Sequence, residues 1–192
     1  NLPGIQILPK MDKMGQRASV QNEIKFENVE FSEDCLLGRE GEGFLIAMKT
    51  FDRTRTGVAF AAVGNARAAL DYSRDWAKNR IQFGQPVTAL QGVSFMLADM
   101  ATELEAARML SWRAAWAYDT KQRDMSKLSA MAKYYATDMA MKVTTNAVQV
   151  MGGEGYSKEH PVEKMMRDAK LSQIYEGTNQ VNRLVTAKHL LK

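Results

Sequence analysis

The chain is short of cysteine, histidine and long apolar runs, and neither sign of charge dominates it. Its single cysteine, Cys35, cannot form an internal disulfide, and its thirteen methionines would oxidise readily outside the cell, so a reducing compartment is expected. The two histidines, His160 and His189, have no partner at metal-ligand spacing and lie far from Cys35, so no metal site is expected. No stretch is apolar for long enough to cross a bilayer and none reads as a secretory leader. The expectation is a soluble protein of the cytoplasm or mitochondrial matrix, without membrane insertion. The formal net charge is +4, with cations and anions interleaved rather than gathered into runs. That pattern gives no nucleic-acid footprint and leaves a mild attraction for anionic ligands.

What is present is enough apolar material for one core: 45% of 192 residues are hydrophobic and 25% charged. The first stretch alternates as strands do, with Ile5 and Ile7, then Ile24, Phe26, Val29 and Phe31, separated by Gly15 and a polar segment. Two or three strands are marginal alone. Together with an opening Asn1-Leu2-Pro3-Gly4 that has no methionine, this leads us to expect a piece of a longer polypeptide.

From Gly43 the spacing becomes helical. Phe44, Met48, Phe51, Arg55 and Val58 step by three and four in a helix that runs to about Arg80 with no internal proline. Gly84 and Pro86 punctuate, and Val93, Met96, Leu97, Met100, Leu104 and Ala107 then share the face of a second helix that ends near Asp119. After the connector Thr120 to Asp124, Leu128, Met131, Ala132, Tyr135 and Met139 mark a third helix, stopped after Met151 by Gly152-Gly153-Glu154-Gly155. Shorter helices around Pro161 to Lys170 and Asn179 to Leu191 complete an antiparallel helical bundle.

Several features have ordinary explanations. The glycine-rich stretch follows a helix rather than a strand and so fails as a dinucleotide fingerprint. Trp112 and Trp116, four residues apart, suit core or a helix-packing surface. Asp52, Arg53 and Arg55 would form a solvated or ion-paired face. Arg80-Ile81-Gln82-Phe83-Gly84 would be a helix end with a cation near its C-terminus. Glu176, in the loop Ile174-Tyr175-Glu176-Gly177-Thr178, sits beside a glycine and before a threonine able to cap the next helix. Such a loop can aim a carboxylate into a cavity beside free helix N–H groups, although a loop glutamate is more commonly just solvated.

Taken together, the segments Pro3-Gly4-Ile5-Gln6-Ile7, Met14-Gly15-Gln16-Arg17, Phe51-Asp52-Arg53-Thr54-Arg55, Arg80 to Gly84, Gln149-Val150-Met151-Gly152-Gly153, Pro161 to Lys170 and Ile174 to Gln180 closely resemble the acyl-CoA dehydrogenase family, in its medium-chain-like branch. They follow the family's order and span nearly the whole chain. The resemblance implies a mainly α fold: a C-terminal antiparallel four-helix bundle over residues 43–192, preceded over residues 1–42 by part of the middle β-domain.

It also implies roles. Glu176 matches the base that removes the substrate's α-proton; Thr54 matches the helical position that carries the base in other branches. Gly177, Thr178, Asn179 and Gln180 match the segment that holds FAD beside the base. Arg80, Gln82 and Phe83, with Leu90 and Gln91, resemble a strip at the adenosine-pyrophosphate part of FAD, and Gln149, Val150, Met151, Gly152 and Gly153 resemble a second. In the family both reach a flavin bound mainly by a neighbouring subunit, which implies a homodimer or homotetramer. Asp52, Arg55, Arg123 and Tyr175 match substrate contacts, and electron-transfer flavoprotein is the implied electron acceptor.

The implied reaction is dehydrogenation of an acyl-CoA thioester to the trans-2-enoyl-CoA, with FAD accepting the β-hydride. Enclosing the carboxylate beside an apolar acyl chain would strengthen it as a base, and donors already in place would meet the charge developing on the thioester oxygen. Three alternatives stay open: a non-catalytic oligomerisation or partner-binding module, an acyl-CoA oxidase, and an enoyl-CoA reductase.

Overall fold

The computed structural model describes residues 2–192. Helix α1, Gly43–Asn79, contains no proline and carries Ala59, Ala62, Ala66, Ala69 and Ala77 at three-, four- and eight-residue steps along its buried stripe. Helix α3, Met125–Met151, presents Ala132, Ala136, Ala140 and Ala147 in the same way, with Val143 and Met139 between them. Small side chains let the two helices approach closely, so the core is a seam of alanines rather than a layer of large apolar groups. Helix α2, Gln91–Asp119, closes over this seam with Met100, Leu104, Ala107, Ala114 and Ala117. Buried hydroxyls along it fold back on their own helices: Ser111 donates to the Ala107 carbonyl and Thr144 to that of Ala140.

Short connections make α1, α2 and α3 antiparallel neighbours. Between α1 and α2 lies a two-residue hairpin turn, Phe83 and Gly84 both at positive φ, joining β3 (Ile81–Gln82) to β4 (Gln85–Pro86). Helix α3 stops at Gly152, whose φ of +61° and ψ of −136° favour glycine, and a single turn, α4 (Gly153–Tyr156), follows at once. The fourth place in the bundle is shared by two short helices, α5 (Val162–Ser172) and α6 (Asn179–Leu190), both packed on α3. Among the described residues no helix is long and apolar enough to cross a membrane.

Strands β1 (Ile5–Lys10) and β2 (Asn22–Phe26) pair as an antiparallel ribbon with an irregularity between Ile7 and Lys10. Val29 and Phe31, expected in a strand, lie beyond it, because Asn28 turns into the left-handed region and ends the extended run. The ribbon's apolar side chains Ile7, Ile24 and Phe26 are exposed. The segment after β1 is nonetheless tied to the bundle. Gly15 lies so near α5 that a Cβ there would come 2.4 Å from the Arg167 carbonyl oxygen. The Gln16 N–H donates to Asp168, and Arg167 Nη1 donates to the Met14 carbonyl at 2.7 Å.

Tyr135, one of the residues that mark α3, is exposed at 38%. Trp112 and Trp116, expected in core or a helix-packing surface, are half exposed on α2, where Phe60 of α1 meets Trp112 edge-on and the Arg113 guanidinium lies 4.5 Å from the Trp116 ring.

Candidate functional site

The expected site residues gather at opposite ends of α1. Thr54 and Arg80 are separated by a helix length of roughly 40 Å at about 1.5 Å per residue, and each marks one of two distinct arrangements.

At the first, the chain leaving α5 makes a turn in which Glu176 (φ +56°) and Gly177 (φ +82°) both take left-handed backbone. A glutamate held there is strained, by about 1–3 kcal/mol, and persists because the surroundings over-determine it. The Thr178 hydroxyl then caps α6, accepting from the Val181 N–H at 3.3 Å. Arg55 Nε donates to the Glu176 carbonyl at 3.2 Å. Lys133 Nζ and Asn182 Nδ2 both donate to the Gly177 carbonyl, each at 2.8 Å. The Glu176 side chain is half-buried, and its Oε2 accepts from Thr54 Oγ1 at 2.5 Å. Glu176 and Thr54, the two positions that the resemblance matches to a base, therefore touch across α1 and the turn.

Arg55, expected to contact the CoA part of a substrate, is buried beneath the turn at 4% exposure. Its Nε is used by Glu176 and its Nη1 faces Asp52 at 3.3 Å. Burial lowers the guanidinium's pKa, opposed by the nearby Asp52 and Glu176 carboxylates. A solvated face for this cluster is thus excluded at Arg55. Asp52 is held in turn by the hydroxyl of Ser126, at 2.8 Å, and its backbone carbonyl by that of Ser129. Arg123 is exposed on the α2–α3 connector at the same end of the bundle. Tyr175 lines a small cavity of about 270 Å³ with Gln16, Ala61, Ala62 and Asn65.

Asn179, expected at a cofactor, is 3% exposed and turned inward. Its Oδ1 accepts from Lys133 Nζ at 2.9 Å, its Nδ2 donates to Asp138 Oδ1 at 2.7 Å, and its N–H donates to the Gln173 carbonyl. These bonds tie the start of α6 to α3 beneath the turn. Thr178 and Gln180 border a polar depression of about 470 Å³ with Gln173 and Arg183.

Sequence reading overlooked Lys133, which is fully buried. Burial lowers its pKa to about 8, Arg55 adds to the lowering, and Asp138 and Glu176 oppose it. A signal was available: Lys133 falls four residues after Ser129 and four before Thr137, in phase with the buried stripe of α3.

At the other end of α1, the two separate strips meet. Arg80, Gln82, Phe83 and Leu90 from the α1–α2 hairpin, and Gln149, Val150, Met151, Gly152 and Gly153 from the end of α3, line one open cleft of about 500 Å³. Trp76, Val87, Val93 and Glu154, which sequence reading did not select, complete it. Gln91 stands outside, exposed at the start of α2. Phe83 is 86% exposed, and space is open where Gly152 and Gly153 would carry a Cβ. Beside the cleft, His160 links α1 to α4, its Nδ1 2.9 Å from the Tyr72 hydroxyl and its Nε2 3.4 Å from Glu154.

A family model described as acyl-CoA dehydrogenase, C-terminal domain, matches residues 41–191. An acyl-CoA dehydrogenase of Bacillus subtilis is 49% identical over all of this chain and half of its own length. The solved butyryl-CoA dehydrogenase from Megasphaera elsdenii superposes with a TM-score of 0.97 at 47% identity, over 100% of this chain and 50% of that one. A chain in the structure of the electron transferring flavoprotein of Acidaminococcus fermentans gives 0.97 at 48%, with the same coverage. The chain spans about half the length of the relatives it matches.

Proposed function

The chain belongs to the acyl-CoA dehydrogenase family, and from that premise we propose that it supplies the base and part of the cofactor surface for FAD-dependent α,β-dehydrogenation of an acyl-CoA thioester. Glu176 removes the α-proton. The observation that carries this reading is the strained, pinned turn that presents the Glu176 carboxylate beside Thr54. Backbone strain held by buried partners is characteristic of functional sites.

One carboxylate oxygen is oriented by the Thr54 hydroxyl, and the other is assigned to the proton. The Glu176 N–H, at the head of the turn, is assigned to the thioester oxygen, where a fixed donor lowers the barrier as negative charge develops. FAD, when bound, supplies the hydride acceptor that protein side chains lack.

The cleft residues fit such a group. Arg80 offers a cation to a pyrophosphate, Gln82 and Gln149 offer amides, and Val87, Leu90 and Val93 form an apolar wall for a base. Glycines at 152 and 153 leave room for close approach. Because cleft and turn lie a helix length apart, a cofactor at the cleft is a different copy from the one beside Glu176. That supports a homodimer, or a tetramer built from it, in which each chain borrows its neighbour's flavin. The likeness to a chain in an electron transferring flavoprotein structure supports a flavoprotein as electron acceptor. We also read residues 1–42 as part of a β-domain, a reading supported by the ribbon and by the start of α1 at Gly43.

The test is bleaching of bound flavin by a panel of acyl-CoA esters. Glu176→Gln, nearly isosteric but unable to take the proton, is expected to slow bleaching by roughly 10³-fold with helix content unchanged. Retention of more than a tenth of the parental rate would remove Glu176 from the role.

A further inference from the structure

We propose that Lys133 is a positioning residue for this reaction: its buried ammonium, tied to the Gly177 carbonyl and to Asn179, holds the turn in the conformation that aims the Glu176 carboxylate at the substrate. The inference rests on the reading of Glu176 as the base.

The geometry is specific. The Glu176 carbonyl belongs to the peptide unit between residues 176 and 177, and Arg55 holds it. The next carbonyl, that of Gly177, receives two donors, Lys133 Nζ and Asn182 Nδ2. The two peptide planes that flank Gly177 are therefore fixed from below, and the first of them carries the Cα from which the Glu176 side chain departs. A left-handed glutamate next to a left-handed glycine has no local preference for this geometry and would relax without such restraint.

Lys133 is an unexpected side chain for a purely structural task. It is fully buried, and both of its bonds go to neutral oxygens, the Gly177 carbonyl and Asn179 Oδ1. A buried ammonium satisfied in this way is less favourable than an apolar side chain of equal length. The neighbourhood is built to accept it all the same. Asn179 is turned towards Lys133 by its own bonds to Asp138 and the Tyr134 carbonyl, and the Thr137 hydroxyl lies 3.1 Å from the same Oδ1. One cation thus connects the middle of α3, the turn and the first residue of α6.

The experiment uses the flavin-loaded enzyme and Lys133→Met, which preserves length and removes both donors. Stopped-flow bleaching by saturating acyl-CoA separates the roles. The amplitude counts intact loaded sites, and the rate constant reports proton and hydride removal. The rate constant is expected to fall at least about tenfold, with amplitude and half-saturating substrate changed less than about threefold. Hydrogen exchange in the same protein, read by mass spectrometry, is expected to accelerate about tenfold or more in the segment 174–180 and to stay unchanged in α2. A parental rate constant with parental exchange overturns the proposal, and so does lost amplitude with a parental rate constant. Should Lys133→Met not accumulate with flavin, Lys133→Gln is measured against the same thresholds. Glu176→Gln run in parallel separates the two inferences: activity there removes the base itself, whereas inactivity there beside a parental Lys133→Met removes only the anchor.

Discussion

At one end of α1 the turn at Glu176 is held by Arg55, Lys133 and Asn182, all buried, and at the other the cleft beside Arg80 is an open surface with glycines at its rim. The first region spends stability on geometry: two left-handed residues, a buried guanidinium and a buried ammonium. The second spends little, since its polar groups face solvent and Arg80 merely stacks near Trp76, 5.7 Å from the ring centre. The difference suits a group that must be aimed before the reaction begins, beside a surface that has only to receive part of a ligand.

That contrast predicts unequal responses to mutation. Arg55→Ala is expected to have the largest effect on stability, roughly 3–5 kcal/mol by chemical denaturation, because it leaves Asp52 and the Glu176 carbonyl without their buried donor. A loss below about 1 kcal/mol would show that the turn does not depend on the buried pair. The second effect concerns pH. The folded pKa of Lys133 is lowered from 10.5 to about 8, so between those values the unfolded chain holds a proton that the folded chain has released. Stability must therefore rise with pH across that window, by about 3 kcal/mol at roughly 1.4 kcal/mol per unit. The difference in unfolding free energy between the parent and Lys133→Met, measured at pH 8 and 10, should move in the parent's favour; a flat difference would contradict the cost ascribed to this cation. The smallest effect on stability belongs to the cleft. Arg80→Ala is expected to change stability by less than about 0.5 kcal/mol while weakening FAD binding roughly tenfold, as loss of one charge-assisted contact implies. A large stability loss with unchanged FAD binding would reverse the assignment of the two regions.

Much of this was legible in the chain. The absence of proline from residues 43–79, together with three- and four-residue apolar steps, locates α1 almost to the residue. Thr178 as the cap of α6 follows from its hydroxyl at a helix start. These are local properties, decided by neighbours within one turn. The burial of Arg55 and the inward turn of Asn179 were not legible, because each depends on a partner far away in sequence: Glu176 for the first, Lys133 for the second. Met14 to Arg17 and Met166 to Lys170 stand out as motifs, yet nothing in either shows that they dock on each other through Gly15 and Arg167.

The sequence by itself determined the helices, their ends, the turn residues and the family pattern, since periodicity, capping and backbone preference act over a few residues. The tertiary structure decided which of those residues meet: that two strips some sixty positions apart form one cleft, that Thr54 touches Glu176, and that a lysine in the middle of a helix lies beneath the turn. Contacts of that kind arise from how the helices pack, and a packing arrangement is a property of the assembled set rather than of any segment within it.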